Sequence, residues 1–206
     1  PEVFFSRQDL GLPEKGFVFC CFNNTYKITP TTFDSWARIL KCVDKSILLI
    51  IVDNESAKEN LTKEITLRGV KPERLIFGER LARPEYLARY RVADLFLDTH
   101  PYNAGTTASD ALRMGLPVLT LKGNSFNSRE AASVIESLNM PELITTSQKE
   151  YELLAIELAT DLEKLKIIKD KLLGNLSTAP LYDTPKFTKN LESAYSEMYD
   201  RYQKGL

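Results

Sequence analysis

One loop and the helix after it form the segment best suited to binding an anion. An apolar stretch at residues 93–98 leads into a Gly-containing loop at residues 99–105, and a helix is predicted to begin at Thr106 and Thr107. Backbone N–H groups at the start of a helix lack partners within the helix and lie at the positive end of its dipole. With the two hydroxyls, they predict a phosphate or pyrophosphate site. Simple capping of the helix by the threonines is the alternative.

Two charged side chains could complete such a site. Asp110 lies three residues after Thr107 and four after Thr106, and therefore on the same helical face. A carboxylate there could accept hydrogen bonds from two ribose hydroxyls, unless it is only a solvated acid of the first turn. Lys27 follows the first apolar stretch in a polar loop. It could neutralise part of a diphosphate charge, unless it is an ordinary exposed lysine.

A third group of candidates lies in residues 82–90. Arg83, Tyr86 and Arg89 or Tyr90 recur at steps of three or four residues, so that a helix would place cations and a ring on one face. Such a face could stack on a base and hydrogen-bond it, although an ordinary surface helix explains the spacing equally well. Neither a G-x-G-x-x-G motif nor a Walker loop is present, which argues against the usual dinucleotide and P-loop sites.

Composition excludes other classes of function. Lys plus Arg number 27 and Asp plus Glu 28, so nothing in the charge indicates nucleic acid or a membrane surface as a partner. No run reaches the ~18 apolar residues of a membrane span, and no signal peptide is evident. Cys20, Cys21 and Cys42 are odd in number and are interpreted as reduced packing residues, which predicts a cytoplasmic protein. The single histidine, His100, excludes a His-rich zinc site and is interpreted as structural or exposed rather than as a general base.

The scaffold that must position these residues is predicted to be α/β. Short apolar segments alternate with longer stretches of helical spacing, as in a Rossmann-like parallel sheet with helices on both faces. Ligands of such sheets bind at the carboxyl ends of the strands, where the predicted anion site lies. Strands are predicted at residues 17–22, 46–52, 75–77, 93–98 and 117–121. Helices are predicted from about Thr31 and at residues 55–69, 84–91, 106–115 and 129–138, without a strong strand afterwards.

The C-terminal part is predicted to be helical, at residues 149–173 and 186–203. In the last helix an apolar stripe is interpreted as core packing, with packing across a lobe boundary as the alternative; it comprises Phe187, Leu191, Tyr195, Met198 and Tyr202. Trp36 is interpreted as a core residue. Residues 1–206 are expected to form one lobe, in which residues 1–15 arrive from an N-terminal lobe and residues 147–206 form a helical tail. The start at Pro1 suggests a piece of a longer protein.

Several motifs together resemble one family. They are FNNTYKITP at residues 22–30, ADLFLDT at 93–99, PYNAGTT at 101–107 and GLPVLT at 115–120, with SREAAS at 128–133 and LESAY at 191–195. In this order they resemble the C-terminal catalytic lobe of O-linked N-acetylglucosaminyltransferases, particularly the bacterial and SPINDLY-like branches. The resemblance runs across nearly the whole chain.

The resemblance implies a GT-B glycosyltransferase, in which two Rossmann-like lobes hold a nucleotide sugar between them. Its reaction would be inverting and would need no metal or other cofactor. The donor would be a UDP-sugar, and N-acetylglucosamine would pass to Ser or Thr hydroxyls of a protein acceptor bound through an N-terminal lobe or helical repeats. UDP-glucose and GDP-fucose remain alternative donors. A non-catalytic nucleotide-binding or interaction module is the alternative from another class.

The resemblance also assigns roles to residues. Lys27 would contact the diphosphate and stabilise the leaving group, with Thr106, Thr107 and Asn24 also at the phosphates. Gly105, just before the two threonines, would also belong to the UDP-sugar site. Asp110 would hold the ribose; the other expected contacts are Arg83 beside ribose and uracil, Tyr86 stacked on uracil and Arg89 closing the pocket. The chain departs from the family pattern at three positions: Tyr86 and Gly105 stand where histidine is common, and Asn24 replaces a common glutamine. These departures leave the identity of the sugar open.

Overall fold

A computed structural model describes residues 2–206 as one six-stranded parallel sheet flanked by helices. The strands are β1 (Val18–Cys21), β2 (Ile47–Ile51), β3 (Leu75–Gly78), β4 (Leu95–Leu97), β5 (Val118–Leu121) and β6 (Ile144–Thr145). The helices are α1 (Pro30–Cys42), α2 (Glu55–Leu67), α3 (Arg83–Arg89), α4 (Thr106–Arg113), α5 (Glu130–Ser137), α6 (Gln148–Thr160), α7 (Leu162–Leu176) and α8 (Thr184–Gln203). Short 3₁₀ turns include Thr25–Lys27 and Tyr90–Val92.

The strand order determines where a ligand can bind. The order is β3-β2-β1-β4-β5-β6, and every neighbouring pair is parallel. The chain therefore moves outward from β1 to β3 and then returns to the other side of β1. Because such crossovers are right-handed, α1 and α2 cover one face and α4 and α5 the other. The connection after β1 leads toward one edge of the sheet and the connection after β4 leads toward the other. A crevice therefore opens between the carboxyl ends of β1 and β4. The predicted Rossmann-like α/β class is confirmed.

The central strands are the most apolar part of the chain. All residues of β1 and β4 are buried, and Phe19 lies in register with Leu95 and Cys20 with Phe96. Strands covered on both faces need continuous apolar runs instead of alternation, which explains why these segments were predictable. Trp36 of α1 is fully buried, as predicted, and donates to the hydroxyl of Tyr151 in α6 (3.2 Å).

Some helix boundaries differ from the prediction. Helix α1 begins at Pro30, because the preceding Thr29 is extended and its hydroxyl accepts from the N–H of Thr32 (3.2 Å). The helix therefore begins one residue before the predicted start at about Thr31, and Thr29 caps it. Helix α3 ends at Arg89 and passes into a 3₁₀ turn. Gly69 and Gly115 follow α2 and α4 with φ values of +74° and +79°, as expected for residues that end helices.

The C-terminal part contains elements that the sequence did not reveal. A sixth strand of two residues, β6, pairs with β5. The helix predicted at residues 149–173 is two helices, which break at Asp161, where the backbone leaves the helical region (φ −110°, ψ 88°). The carboxylate of Asp161 then caps α7 by accepting from the N–H of Lys164 (3.0 Å).

The apolar stripe of α8 is exposed, so its interpretation as core packing was wrong for this lobe. Phe187 and Tyr195 are each 61% exposed and Tyr202 is 77% exposed, and α8 has no buried residue. Helical periodicity identified the stripe but not what covers it. Cys42 is also exposed, which corrects its interpretation as a packing residue, whereas Cys20 and Cys21 are buried. Across residues 2–206, no helix has both the length and the apolar character needed to cross a membrane.

Candidate functional site

A cavity of about 430 Å³ lies at the carboxyl end of the sheet, in the crevice between β1 and β4. Its walls come from segments at the carboxyl ends of five strands: the loop after β1, the end of β2, the segment from β3 into α3, the loop from β4 into α4, and the first turn of α5. Residues at its wall include Phe22, Asn23, Asn24, Lys27, Arg80, Tyr86, Arg89, Tyr102, Gly105, Thr106, Thr107 and Glu130. Residues far apart in the sequence therefore converge here.

Most of the predicted site residues line this cavity, namely Asn24, Lys27, Tyr86, Arg89, Gly105, Thr106 and Thr107. The other two lie beside it and contact each other. Arg83 Nη1 is 2.7 Å from Asp110 Oδ2, and Arg83 Nη2 is 2.6 Å from Asp110 Oδ1. The Asp110 side chain is only 8% exposed, while that of Arg83 is 59% exposed and its guanidinium lies over the Tyr86 ring. A ribose that binds Asp110 must therefore share the carboxylate with Arg83 or displace it.

The start of α4 has backbone N–H groups that could bind an anion. Gly105 precedes the helix and no side chain caps it, so the N–H groups of the first turn remain available. Thr106 is exposed, and Thr107 donates its hydroxyl proton to Asn23 Oδ1 (2.5 Å). The Thr107 hydroxyl is thus held in one orientation, whereas the backbone N–H groups and the helix dipole supply the positive potential.

A buried carboxylate that the sequence did not single out organises the loop before α4. Asp98 accepts hydrogen bonds from the N–H groups of Thr99 (2.8 Å) and Ala104 (2.7 Å). It also accepts from Thr120 Oγ1 (2.6 Å) and Asn23 Nδ2 (3.2 Å). Burial raises the pKa of Asp98 to about 6, although these hydrogen bonds act in the opposite direction. The four bonds hold the loop and both flanking strands in a fixed arrangement.

Asn23, rather than its predicted neighbour Asn24, connects this carboxylate to the cavity. Its amide donates to Asp98 and to Thr99 Oγ1 (2.8 Å), and its oxygen accepts from Thr107. Asn23 is buried and Asn24 is exposed at the cavity wall. Asn23 therefore positions Thr107, while Asn24 is free to contact a ligand. A polar residue directly after a buried strand was the only sequence signal for Asn23.

Lys27 presents its charge at the rim of the cavity. Its Nζ donates to the carbonyl oxygen of Asn103 (2.8 Å) and lies 3.7 Å from the centroid of the Tyr102 ring. Both contacts hold the ammonium group against the loop before α4, and no carboxylate among residues 2–206 forms an ion pair with it. The charge therefore remains available to an anion at the start of α4.

Arg89 brings hydrogen-bond donors to the wall formed by α3. It is only 2% exposed, its Nη1 donates to the carbonyl oxygen of Glu79 (2.6 Å), and its guanidinium lies over the Phe22 ring. Its Nε and Nη2 are buried without a hydrogen-bond partner in residues 2–206. Burial lowers the pKa of Arg89. Buried unpartnered donors are costly, so a ligand that accepts from them would be favoured.

His100 does not line the cavity. Its Nδ1 lies 3.2 Å from the carbonyl oxygen of Leu121, in keeping with its interpretation as a structural residue. In the part of the chain that the structure describes, no group of three or more His, Cys, Asp or Glu side chains could hold a metal ion. Glu130, which does line the cavity, was noted only as part of the SREAAS motif and not as a site residue, because its proximity depends on the packing of α5 against α4.

Comparisons with known proteins point to one family. The model of the family described as "Glycosyl transferase family 41" matches residues 2–191. A Caenorhabditis elegans UDP-N-acetylglucosamine–peptide N-acetylglucosaminyltransferase is 35% identical over 98% of this chain and 18% of its own length. A probable enzyme of the same name from Arabidopsis thaliana, SEC, is 34% identical over 97% of this chain and 20% of its own length. The chain thus spans about a fifth of these relatives.

Solved structures show the same fold. A mutant of the Thermobaculum terrenum O-GlcNAc transferase superposes with a TM-score of 0.87 at 34% identity, over 93% of this chain and 38% of that one. Sucrose-phosphate synthase from Thermosynechococcus elongatus, at 14% identity and a TM-score of 0.66, shares the fold over 94% of this chain and 48% of that one. The GT-B lobe architecture is therefore confirmed. From the match to residues 2–191 and the identities above 30%, this chain belongs to glycosyltransferase family 41.

Proposed function

We propose that this chain is the donor-binding lobe of an inverting, metal-independent glycosyltransferase that uses a UDP-sugar. The observation that carries the proposal is the cavity between β1 and β4, which is lined by the uncapped start of α4, by Lys27 and by Tyr86. An anion site beside an aromatic face fits a nucleoside diphosphate. The names of the relatives support N-acetylglucosamine as the sugar and a peptide as the acceptor.

The donor would lie along the cavity with its base at α3. Tyr86 would stack on uracil, and the unpartnered Nε and Nη2 of Arg89 suit acceptor atoms deep in the pocket. Asp110 and Arg83 would contact the ribose. The diphosphate would extend to the start of α4, where Thr106 and Thr107 lie near Asn24 and Lys27.

Transfer places its greatest electrostatic demand on the leaving group. An acceptor hydroxyl oxygen forms a bond to the anomeric carbon as the bond from that carbon to the diphosphate oxygen breaks, and the hydroxyl proton passes to solvent water. UDP leaves with the bonding electron pair, so negative charge grows on its terminal phosphate. Lys27 and the N–H groups of α4 would stabilise this charge in place, because their positions are already fixed before the reaction.

The remaining parts of the reaction are assigned to the rest of a longer protein. Since the chain spans about a fifth of the curated relatives, groups that bind the protein acceptor are expected in an N-terminal lobe or helical repeats. A cytoplasmic location is proposed for the whole protein. Neither nucleic acid nor a membrane is expected as a partner, in view of the net charge of −1.

Calorimetric titration with UDP, UMP and GDP, without added metal, tests the proposal. We expect UDP to bind most tightly and UMP more weakly, because UMP cannot fill the site at α4. A preference for GDP would replace the proposal with a GDP-fucose donor. If none of the three bound, the proposal that this lobe binds a nucleotide without a second lobe would be contradicted. Transfer from UDP-N-acetylglucosamine or from UDP-glucose to a Ser/Thr peptide is then tested with the longer protein. The donor that supports transfer identifies the sugar, and no transfer from either would favour a non-catalytic module.

A further inference from the structure

Glu130, in the first turn of α5, directs its carboxylate toward the start of α4. A Cβ atom built on Gly105 would lie only 1.9 Å from Glu130 Oε1 and 2.6 Å from its Cδ. The carboxylate therefore fills the space that a side chain at position 105 would need. Glu130 also lines the cavity, beside Thr106 and Thr107. A negative group thus lies where the diphosphate is proposed to bind.

Among the described residues, this carboxylate has no hydrogen-bond or ion-pair partner. The other acids near the cavity are neutralised: Asp53 pairs with Arg80 (2.7 Å) and Asp110 with Arg83 (2.6 Å). Glu130 does not cap α4 either, since no side chain accepts from the N–H groups of its first turn. The carboxylate therefore contributes negative potential to the cavity without accepting a hydrogen bond from the N–H groups of α4.

We propose that Glu130 is a specificity-determining residue that disfavours the UDP product relative to the UDP-sugar. The inference rests on the proposed function. A diphosphate at α4 must displace the carboxylate or bind beside it, and the repulsion grows with the charge of the ligand. UDP has a free terminal phosphate and carries about one more negative charge near pH 7 than the sugar ester. Glu130 therefore weakens UDP binding more than donor binding and favours release of UDP after transfer.

The test compares Glu130→Gln and Glu130→Ala with the parent chain. Glu136→Gln serves as the control, because Glu136 lies on the same helix but pairs with Lys122 (3.6 Å) outside the cavity. Each protein is titrated with UDP, UDP-N-acetylglucosamine, uridine and inorganic pyrophosphate. We expect both Glu130 variants to bind UDP and pyrophosphate roughly threefold to tenfold more tightly, as for the loss of one partly screened like charge. UDP-N-acetylglucosamine should gain less, and uridine should not change.

Several results would overturn the inference. If both Glu130 variants bound UDP and pyrophosphate like the parent or more weakly, the carboxylate would not oppose the diphosphate. An equal gain for UDP and its sugar ester would leave Glu130 without an effect on specificity. Tighter pyrophosphate binding in a chain that binds no uridine compound would contradict the proposed function but keep Glu130 as a competing anion. If no variant bound UDP or pyrophosphate, both proposals would fail.

Discussion

At the scale of single residues, Asp98 supports the cavity without reaching it. Asn23 lies between Asp98 and Thr107 and hydrogen-bonds to both. The carboxylate also fixes the N–H of Ala104, just before the uncapped start of α4. A fully hydrogen-bonded buried group of this kind rigidifies its surroundings, whereas a half-satisfied one would be costly. Asp98 is thus a positioning residue for the hydroxyl and the helix end.

Asp98 should leave a signature in the pH dependence of stability. Its pKa is raised from an ordinary 3.8 to about 6, mainly by burial, so the folded state binds more protons than the unfolded state between these values. The corresponding stabilisation is fully present below about pH 4 and is lost as the pH rises through 6. Asparagine cannot titrate. The free energy of unfolding of the parent minus that of Asp98→Asn should therefore fall, by up to about 3 kcal/mol, between pH 4 and pH 7.

Urea unfolding of both proteins at several pH values measures this difference. Acids whose pKa is lowered in the folded state, such as Glu152, change stability in the opposite sense but equally in both proteins. Parallel pH profiles for the two proteins would contradict the raised pKa of Asp98.

Lys27 and Asp110 should affect different parts of a bound nucleotide. We expect Lys27→Ala and Asp110→Ala each to weaken UDP binding by roughly one to a few kcal/mol, the size of a charged hydrogen bond. Loss of Lys27 should spare uridine, because the ammonium group is proposed to bind the phosphates, whereas loss of Asp110 should weaken uridine as well. Calorimetry measures both. Lys41→Ala, on the exposed face of α1 outside the cavity, is the matched control. The assignment is wrong if both folded variants bind UDP like the parent.

At the scale of elements, predictability followed the length and burial of each segment. The apolar runs of β1 to β5 predicted their strands because both faces of the central sheet are covered. The two residues of β6 are too few to produce a pattern. The break at Asp161 was hidden because helical spacing continues on both sides of it. The stripe of α8 showed which face is apolar, but a local pattern contains no information about the partner of that face.

The exposed stripe of α8 makes a prediction about stability. Leu172 in α7 is fully buried, so Leu172→Ala should lower the free energy of unfolding by about 2 to 5 kcal/mol through lost contacts and a cavity. Tyr195 in α8 is 61% exposed, and Tyr195→Ala should change the free energy of unfolding by no more than about 0.5 kcal/mol. Urea unfolding of this chain compares the two. Similar losses in both variants would mean that α8 packs against the lobe in solution.

At the scale of the whole molecule, the position of the cavity follows from topology. Alternating apolar and helical segments predicted the parallel sheet. Ligands of such sheets bind at the carboxyl ends of the strands, where the strand order reverses. The sequence also predicted seven residues of the cavity wall, because they follow strands or lie in the helices after them. It did not predict Asn23, Asp98 or Glu130. Their roles depend on contacts between distant segments, such as the 75 positions that separate Asn23 from Asp98.

Capture of an anion by a chain of net charge −1 must be local, and we propose that it needs no metal ion. Lys27 and the free N–H groups of α4 supply positive potential at one point, while Asp53 and Asp110 are neutralised by Arg80 and Arg83. We therefore expect equal UDP affinity in EDTA and in excess Mg²⁺, once the Mg²⁺–UDP complex in solution is taken into account. Calorimetry under both conditions measures this. If EDTA abolished binding and Mg²⁺ or Mn²⁺ restored it, a divalent cation would belong to the site. Lys27 would then lose its proposed role as the principal positive charge that stabilises the leaving group.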